Sequence, residues 1–284
     1  QFGVMLFLMS AGLTLIFGVM GLINLAHGSL YMLGAFSAAA TAALYGSFWL
    51  SLLASLIFSA IAGVIIELTI IKHLYRREHL DQVLATFALI LIFSETVRWI
   101  FGAFPMYLDT PELLNGSVRI GKDIFYSKYR LFIIFVGLLI AFFLYFLISK
   151  TSLGIKIRAG QNDREMIAAL GVNIAKLYTL LFALGAALAG LAGALVGTMQ
   201  SVEVGMGEPV LILAFVVIVI GGIGSVKGAF VGSILVGLTD TLGRVLVPTF
   251  FKLFMEPSSA TSVGSAIASM LIYIFMALVL IIKP

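Results

Sequence analysis

Unbroken apolar runs of bilayer-crossing length constrain this chain more than any other feature. Covering a hydrocarbon core of roughly 30 Å takes about 20 residues of helix. Such runs are read at 2–22, 28–46, 49–71, 82–102, 129–149, 173–198, 208–223, 228–247 and 262–282. What remains between them is too short for a separate domain of about 50 residues or more. Residues 1–284 are therefore read as one transmembrane domain, and any chemistry must occur in the membrane or on a partner. The expected fold is an all-α integral membrane protein, a polytopic bundle of about 8–10 transmembrane helices. Broken or re-entrant segments are expected where runs nearly touch, as at Gly224-Ser225-Val226-Lys227.

Composition agrees, with 62% hydrophobic and 11% charged residues against about 25% charged in a soluble domain. There is no cysteine, which excludes disulfides and thiolate metal sites. The formal charge of +4 sits in short connections and not on one face, so it is a topology signal and not a nucleic-acid footprint. Counting connections alternately, one side carries ten Lys or Arg, including Lys72, Arg76, Arg77, Lys227 and Lys283. The other carries five: Arg119, Lys122, Lys128, Arg130 and Lys252. The positive-inside rule makes the richer side cytoplasmic, which places the C-terminus inside. Gln1 opens directly into the first apolar run with no basic stretch before it and no cleavage site after it, so no secretory signal is expected and the start is read as truncated.

The connection at about 150–172 is long for a transmembrane protein. From Asp163 to Leu170 its apolar residues recur at helical spacing, and Gly171 suits a helix stop. One reading is an amphipathic segment lying on the bilayer. The other is a coupling helix docking on a motor subunit, in which the small residues Ala168, Ala169 and Gly171 allow close approach, Glu165 and its charged neighbours give register and specificity, and Gly154, Arg158, Asp163 and Arg164 belong to the same element.

A second constellation places Asn24 and His27 at a span end between Gly21 and Gly28. Either it ends a helix at the membrane edge, both side chains bonded to free backbone groups, or it is a helix break lining a pathway. No second ligand stands near His27, so no metal site is expected. Residues 221–228 echo this block, and Gly221, Gly222 and Ser225 join Asn24, His27 and Gly28 as pathway candidates. Within spans, Glu95 with Arg98 and Asp240 with Arg244 stand three and four residues apart. They are read as self-paired ions, with contact to substrate or a companion subunit as the alternative. Glu67 is expected to snorkel toward the loop beginning at Lys72. The small-residue run from Ala183 to Gly197 offers a smooth face for helix packing, within the chain or at a subunit interface.

Three blocks carry a resemblance. They are Gly18 to Gly28 with Tyr31-Met32-Leu33-Gly34, Gly154 to Asn173 leading into Phe182 to Gly193, and Gly221 to Gly232. In this order they resemble the permease subunits of bacterial branched-chain amino-acid ABC importers of the LivH type. The pattern departs at Ser29, where family members often carry an acidic residue. The resemblance implies a multi-pass protein of the bacterial inner membrane, paired with a related permease, two cytoplasmic ATPases and an external solute-binding protein. No cofactor is expected in this chain, ATP and Mg belonging to the ATPases. Residues 221–228 fail the phosphate-loop pattern, since Val226 precedes Lys227 and Gly228 follows it, and no HExxH is found, so a transport subunit and not an enzyme is expected. Branched-chain amino acids are the first expectation for substrate, with urea or short amides as the alternative. An ion-gradient-driven secondary transporter is the rival class.

Overall fold

A computed structural model describes residues 1–75, 77–119 and 125–282. Arg76, Lys122 and Lys283, which entered the charge tally, lie outside the described residues. The chain is an all-α polytopic membrane protein. Its helices are α1 (Phe2–Met20), α2 (His27–Tyr45), α3 (Phe48–Leu74), α4 (His79–Phe101), α5 (Lys128–Lys150), α6 (Ser152–Asn162), α7 (Arg164–Ala169), α8 (Ile174–Gly197), α9 (Gly207–Gly221), α10 (Val226–Phe251) and α11 (Pro257–Ile282). A small antiparallel hairpin, β1 (Ser117–Arg119) with β2 (Phe125–Ser127), follows α4.

Seven of these helices are long and apolar enough to cross a membrane. The run read as a span at 208–223 is corrected, because α9 has 15 residues and covers only about 22 Å at 1.5 Å per residue. α2 is also outside the seven, since its Gly, Ser and Ala content lowers its hydropathy.

Lipid tails solvate an apolar helix as well as a protein core does, so apolarity does not tell centre from periphery. Burial does: the most apolar stretches of α1 and α8 are 78% and 83% buried, against 11% for α11. α1 and α8 run antiparallel. The Tyr178 hydroxyl lies 3.5 Å from the Val19 carbonyl at one end, the backbones of Gly12 and Gly185 touch midway, and the Gln1 amide meets Met199 Sδ at 2.9 Å at the other end.

The small-residue run of α8 packs inside the chain. Gly190 lies against Gly34 of α2 and against Ser55 and Ser59 of α3, and the Ser55 hydroxyl donates to the Gly190 carbonyl at 2.8 Å. With no hydrophobic driving force between helices in lipid, such close contact gains dispersion energy that bulkier faces cannot reach. A second small core joins Leu6 of α1, Val216 and Val217 of α9, Val236 of α10 and Ile272 of α11.

Because α1 and α8 are antiparallel, the helices that follow them leave from opposite ends of the pair. The hairpin side is marked by the backbone bridge between Met106 and Val202. The opposite end carries α6, α7 and the α9–α10 junction, where Gly18 touches Gly224. The sequence echo between 21–28 and 221–228 is not a structural equivalence. The first block joins α1 to α2, whereas the second joins α9 to α10, and the counterpart of the first break is 198–206, after α8.

Candidate functional site

α1 closes at Gly21, which adopts φ 63° while its N–H donates to the Phe17 carbonyl at 2.9 Å. The chain then runs without regular helix to His27, burying Leu22, Asn24 and Ala26. The His27 ring faces the Met9 backbone carbonyl without reaching hydrogen-bond geometry. Met9 lies eleven residues before Met20, or about 16 Å back along α1. Residues 21–26 therefore retrace part of α1, well within the roughly 20 Å that six extended residues can reach, and α2 begins inside the bundle.

The second interruption mirrors the first. After α8, residues 198–206 turn back, and the Gly205 N–H points at Met32 Sδ at 3.3 Å. α9 then starts at Gly207, whose backbone packs directly on that of Gly28. A Cβ on either glycine would collide with the other's carbonyl group. Two helix N-termini, each with the partial positive charge of its free N–H groups, thus converge within the protein.

Around the first interruption the side chains of Thr14, Asn24, His27 and the Tyr31 hydroxyl are buried, and their polar atoms have no hydrogen-bond partner among the described residues. The reading in which Asn24 and His27 bond free backbone groups at a membrane edge is corrected on both counts. The two residues are interior, and the one backbone group that faces either side chain, the Met9 carbonyl at His27, belongs to mid-α1 and not to a free helix end. Leaving a buried polar group unpaired costs about 1–3 kcal/mol.

At the opposite end, the connector predicted at 150–172 is two helices. Gly154 packs so tightly on the carbonyls of Leu147 and Ile148 that a Cβ has no room, which fixes the α5–α6 corner. Arg158 donates to the Ile148 carbonyl. Asp163 caps α7, its Oδ1 accepting from the Glu165 and Met166 N–H groups at 3.0 and 2.9 Å. Arg164 reaches the Met20 carbonyl at 3.5 Å, at the end of α1. Gly171 has φ 86°, and the bonds from Gly171 N–H to Ala168 and from Val172 N–H to Ile167 form a Schellman stop. Glu165, Ala168, Ala169 and Gly171 are exposed, whereas Ile167 anchors α7 from below.

Gln161 was not among the residues singled out from the sequence, yet its amide donates to the Gly224 carbonyl at 3.1 Å. The α6–α7 connector thus holds the first interruption through Arg164 and the α9–α10 junction through Gln161. At that junction Gly221 packs on Gly228, Gly222 has φ 89°, and the Ser225 hydroxyl caps α10 by accepting from the Gly228 N–H at 3.0 Å. The pathway candidates therefore divide. Asn24, His27 and Gly28 lie at the convergent N-termini, while Gly221, Gly222 and Ser225 lie at the connector end.

Both helical ion pairs form, Glu95 with Arg98 at 2.6 Å and Asp240 with Arg244 at 2.9 Å. The first is exposed on both sides, whereas the Asp240 side chain is only 10% exposed. Glu67 does not snorkel. It is buried in a π-helical turn, Glu67–Ile71, within α3, and accepts from the hydroxyls of Tyr75 and Thr179, each at 2.7 Å. Position near the span end does not reveal this, because the π turn that begins at Glu67 departs from the regular helical spacing.

Two interrupted helices that follow the members of an antiparallel pair and meet at their N-termini are the kind of discontinuous helix that builds sites at membrane depth in transport proteins. Among the described residues no cluster of His, Asp or Glu could hold a metal ion. Residues 2–281 match the sequence profile of the family described as "Branched-chain amino acid transport system / permease component", and the chain belongs to that family. It is 32% identical over 248 residues to the high-affinity branched-chain amino acid transport system permease protein BraD of Pseudomonas aeruginosa, covering 83% of this chain and 81% of that protein. It is 28% identical over 259 residues to LivH of Salmonella typhimurium, covering 86% and 83%. It is 29% identical over 280 residues to the probable LivH permease of Methanocaldococcus jannaschii, covering 94% and 86%. No solved structure matches the chain significantly.

Proposed function

We propose that the chain is the permease subunit of an ATP-driven importer that moves branched-chain or related amino acids into a bacterial cytoplasm. It pairs with a related permease, receives substrate from an external solute-binding protein, and is driven by two cytoplasmic ATPases that hold the ATP and Mg. The positive-inside rule supports a cytoplasmic position for the α6–α7 end in the inner membrane, and hence for the C-terminus.

One observation carries this reading. The connector presents a capped, exposed short helix, α7, while its own side chains grip both the end of α1 and the α9–α10 junction. A push on α7 is therefore delivered to both interrupted units. Glu165, Ala168, Ala169 and Gly171 form the docking face; Arg164 and Gln161 transmit its motion. Alternating access then works on the convergent N-termini, where Gly28 packs on Gly207 and the buried polar side chains of Asn24 and His27 stand beside the contact.

The test is reconstitution with the ATPases and binding protein, measuring uptake and ATP hydrolysis together. Glu165→Lys is expected to lower uptake about tenfold while hydrolysis continues, because a reversed charge at an interface costs a few kcal/mol of specificity and register. Uptake by the permease alone, driven by an ion gradient, would instead support the secondary-transporter class.

A further inference from the structure

A groove of about 890 Å³ opens between α1, α5, α6 and the start of α10. Its mouth lies at the connector end, where Gly18, Arg158, Gln161 and Lys227 line it, and its far end reaches Phe7. Gly18 and Phe7 are eleven residues apart on α1, so the groove runs about 16 Å along the helix. That is about half of a hydrocarbon core of roughly 30 Å, the depth of one leaflet.

The chemistry changes along this length. Arg158 and Lys227 stand at the mouth, and among the described residues neither is ion-paired and none lining the groove is acidic. Lys227 Nζ sits 5.2 Å from the centre of the Tyr145 ring, which holds the ammonium over the groove. Deeper in, the wall is Phe142, Phe230 and Phe7, and Phe142 is 70% exposed, so the groove opens sideways onto the outer surface of the bundle.

We propose that this groove binds one anionic phospholipid, with its headgroup phosphate between Arg158 and Lys227 and an acyl chain laid along Phe142 and Phe230 toward Phe7. A soluble anion would use the cations and leave the apolar wall idle. A neutral chain would use the wall and leave two cations without a counter-charge. The combination fits a molecule that is anionic at one end and one leaflet long at the other, and basic groups beside a membrane surface attract such headgroups. The occupant would brace α5, α6 and α10 together, beside the Gln161 contact that joins the connector to the α9–α10 junction.

The experiment is native mass spectrometry of the purified chain released from nanodiscs containing phosphatidylcholine with either phosphatidylglycerol or phosphatidylethanolamine. Wild type is expected to retain phosphatidylglycerol in preference to phosphatidylethanolamine, and excess inorganic phosphate is expected not to displace it. Arg158→Gln with Lys227→Gln should weaken retention about thirtyfold, the equivalent of two surface attractions to an anionic headgroup. Val231→Trp, which fills the groove wall and keeps both cations, should also lower retention. Equal retention of the two lipids overturns the proposal, as does unchanged retention in a monodisperse double variant or in Val231→Trp. Displacement by inorganic phosphate would make the cations a soluble-anion site and likewise overturn it. Should the double variant not fold, Val231→Trp and the comparison of lipids still decide.

Discussion

The two interruptions have the same backbone plan and opposite surroundings. The segment after α8 is partly exposed and is braced from outside, since Val202 exchanges backbone hydrogen bonds with Met106 at 2.8 and 2.9 Å. The segment after α1 is interior, and Asn24 and His27 within it lack partners. Irregular backbone is tolerated at membrane depth only where protein covers it or a cavity receives it. One interruption is therefore braced by backbone pairing, whereas the other is a polar segment enclosed by the protein. Under the proposed importer function, the enclosed polar segment is the one expected to move and the paired segment the one expected to guide it.

The largest effect is expected where the two meet. Gly28→Leu or Gly207→Leu should abolish uptake and lower the thermal midpoint, because each side chain would have to displace the facing backbone, an overpacking of about 1–3 kcal/mol or more. Uptake and unfolding measured on the same preparation would break the comparison if either variant transports normally. Asn24→Leu sharpens it further. Removing an orphaned amide should stabilise the protein by about 1–3 kcal/mol, while uptake falls several-fold. A variant less stable than wild type would mean that Asn24 is satisfied in this state.

Gly171→Leu should act next, through coupling alone. A side chain at φ 86° disfavours the stop of α7 by about 1–2 kcal/mol, so uptake should fall more than ATP hydrolysis. Glu67→Gln comes after it. An amide has one acceptor oxygen for the two hydroxyls of Tyr75 and Thr179, and the loss should be about 1–2 kcal/mol by denaturation, with little change in uptake. Smallest is Glu95→Gln, since exposed ion pairs contribute at most about 1 kcal/mol.

Much of this was legible in the sequence. Apolar runs of fixed length placed the long helices, with the largest offset at the start of α11, read at 262 and found at Pro257, because the bilayer sets that length whatever the packing. Gly21, Asn24, His27 and Gly28 flagged the first interruption, and Asp163 and Gly171 flagged the ends of α7. Depth was not legible. A glycine-flanked polar block reads alike at a membrane edge and inside the bundle, and only the approach of Gly28 to Gly207, 179 positions apart, separates the two. The second interruption was missed for a related reason, since its polar residues look like any external turn. Glu67 was misread because a π turn leaves no signature in apolar spacing. Gln161 was missed because an amide on an amphipathic helix carries no sign of a backbone partner 63 positions away.

The two helix N-termini meet inside the protein at Gly28 and Gly207, and the proposed importer function requires them to separate as the motor works. The chain has no cysteine, so spin labels on Leu25→Cys and Glu208→Cys report this contact against no background. In the reconstituted importer, electron double resonance should give one short distance without nucleotide and a second, longer one when ATP is trapped. A single distance that ignores nucleotide, in an importer still taking up substrate, would contradict the account.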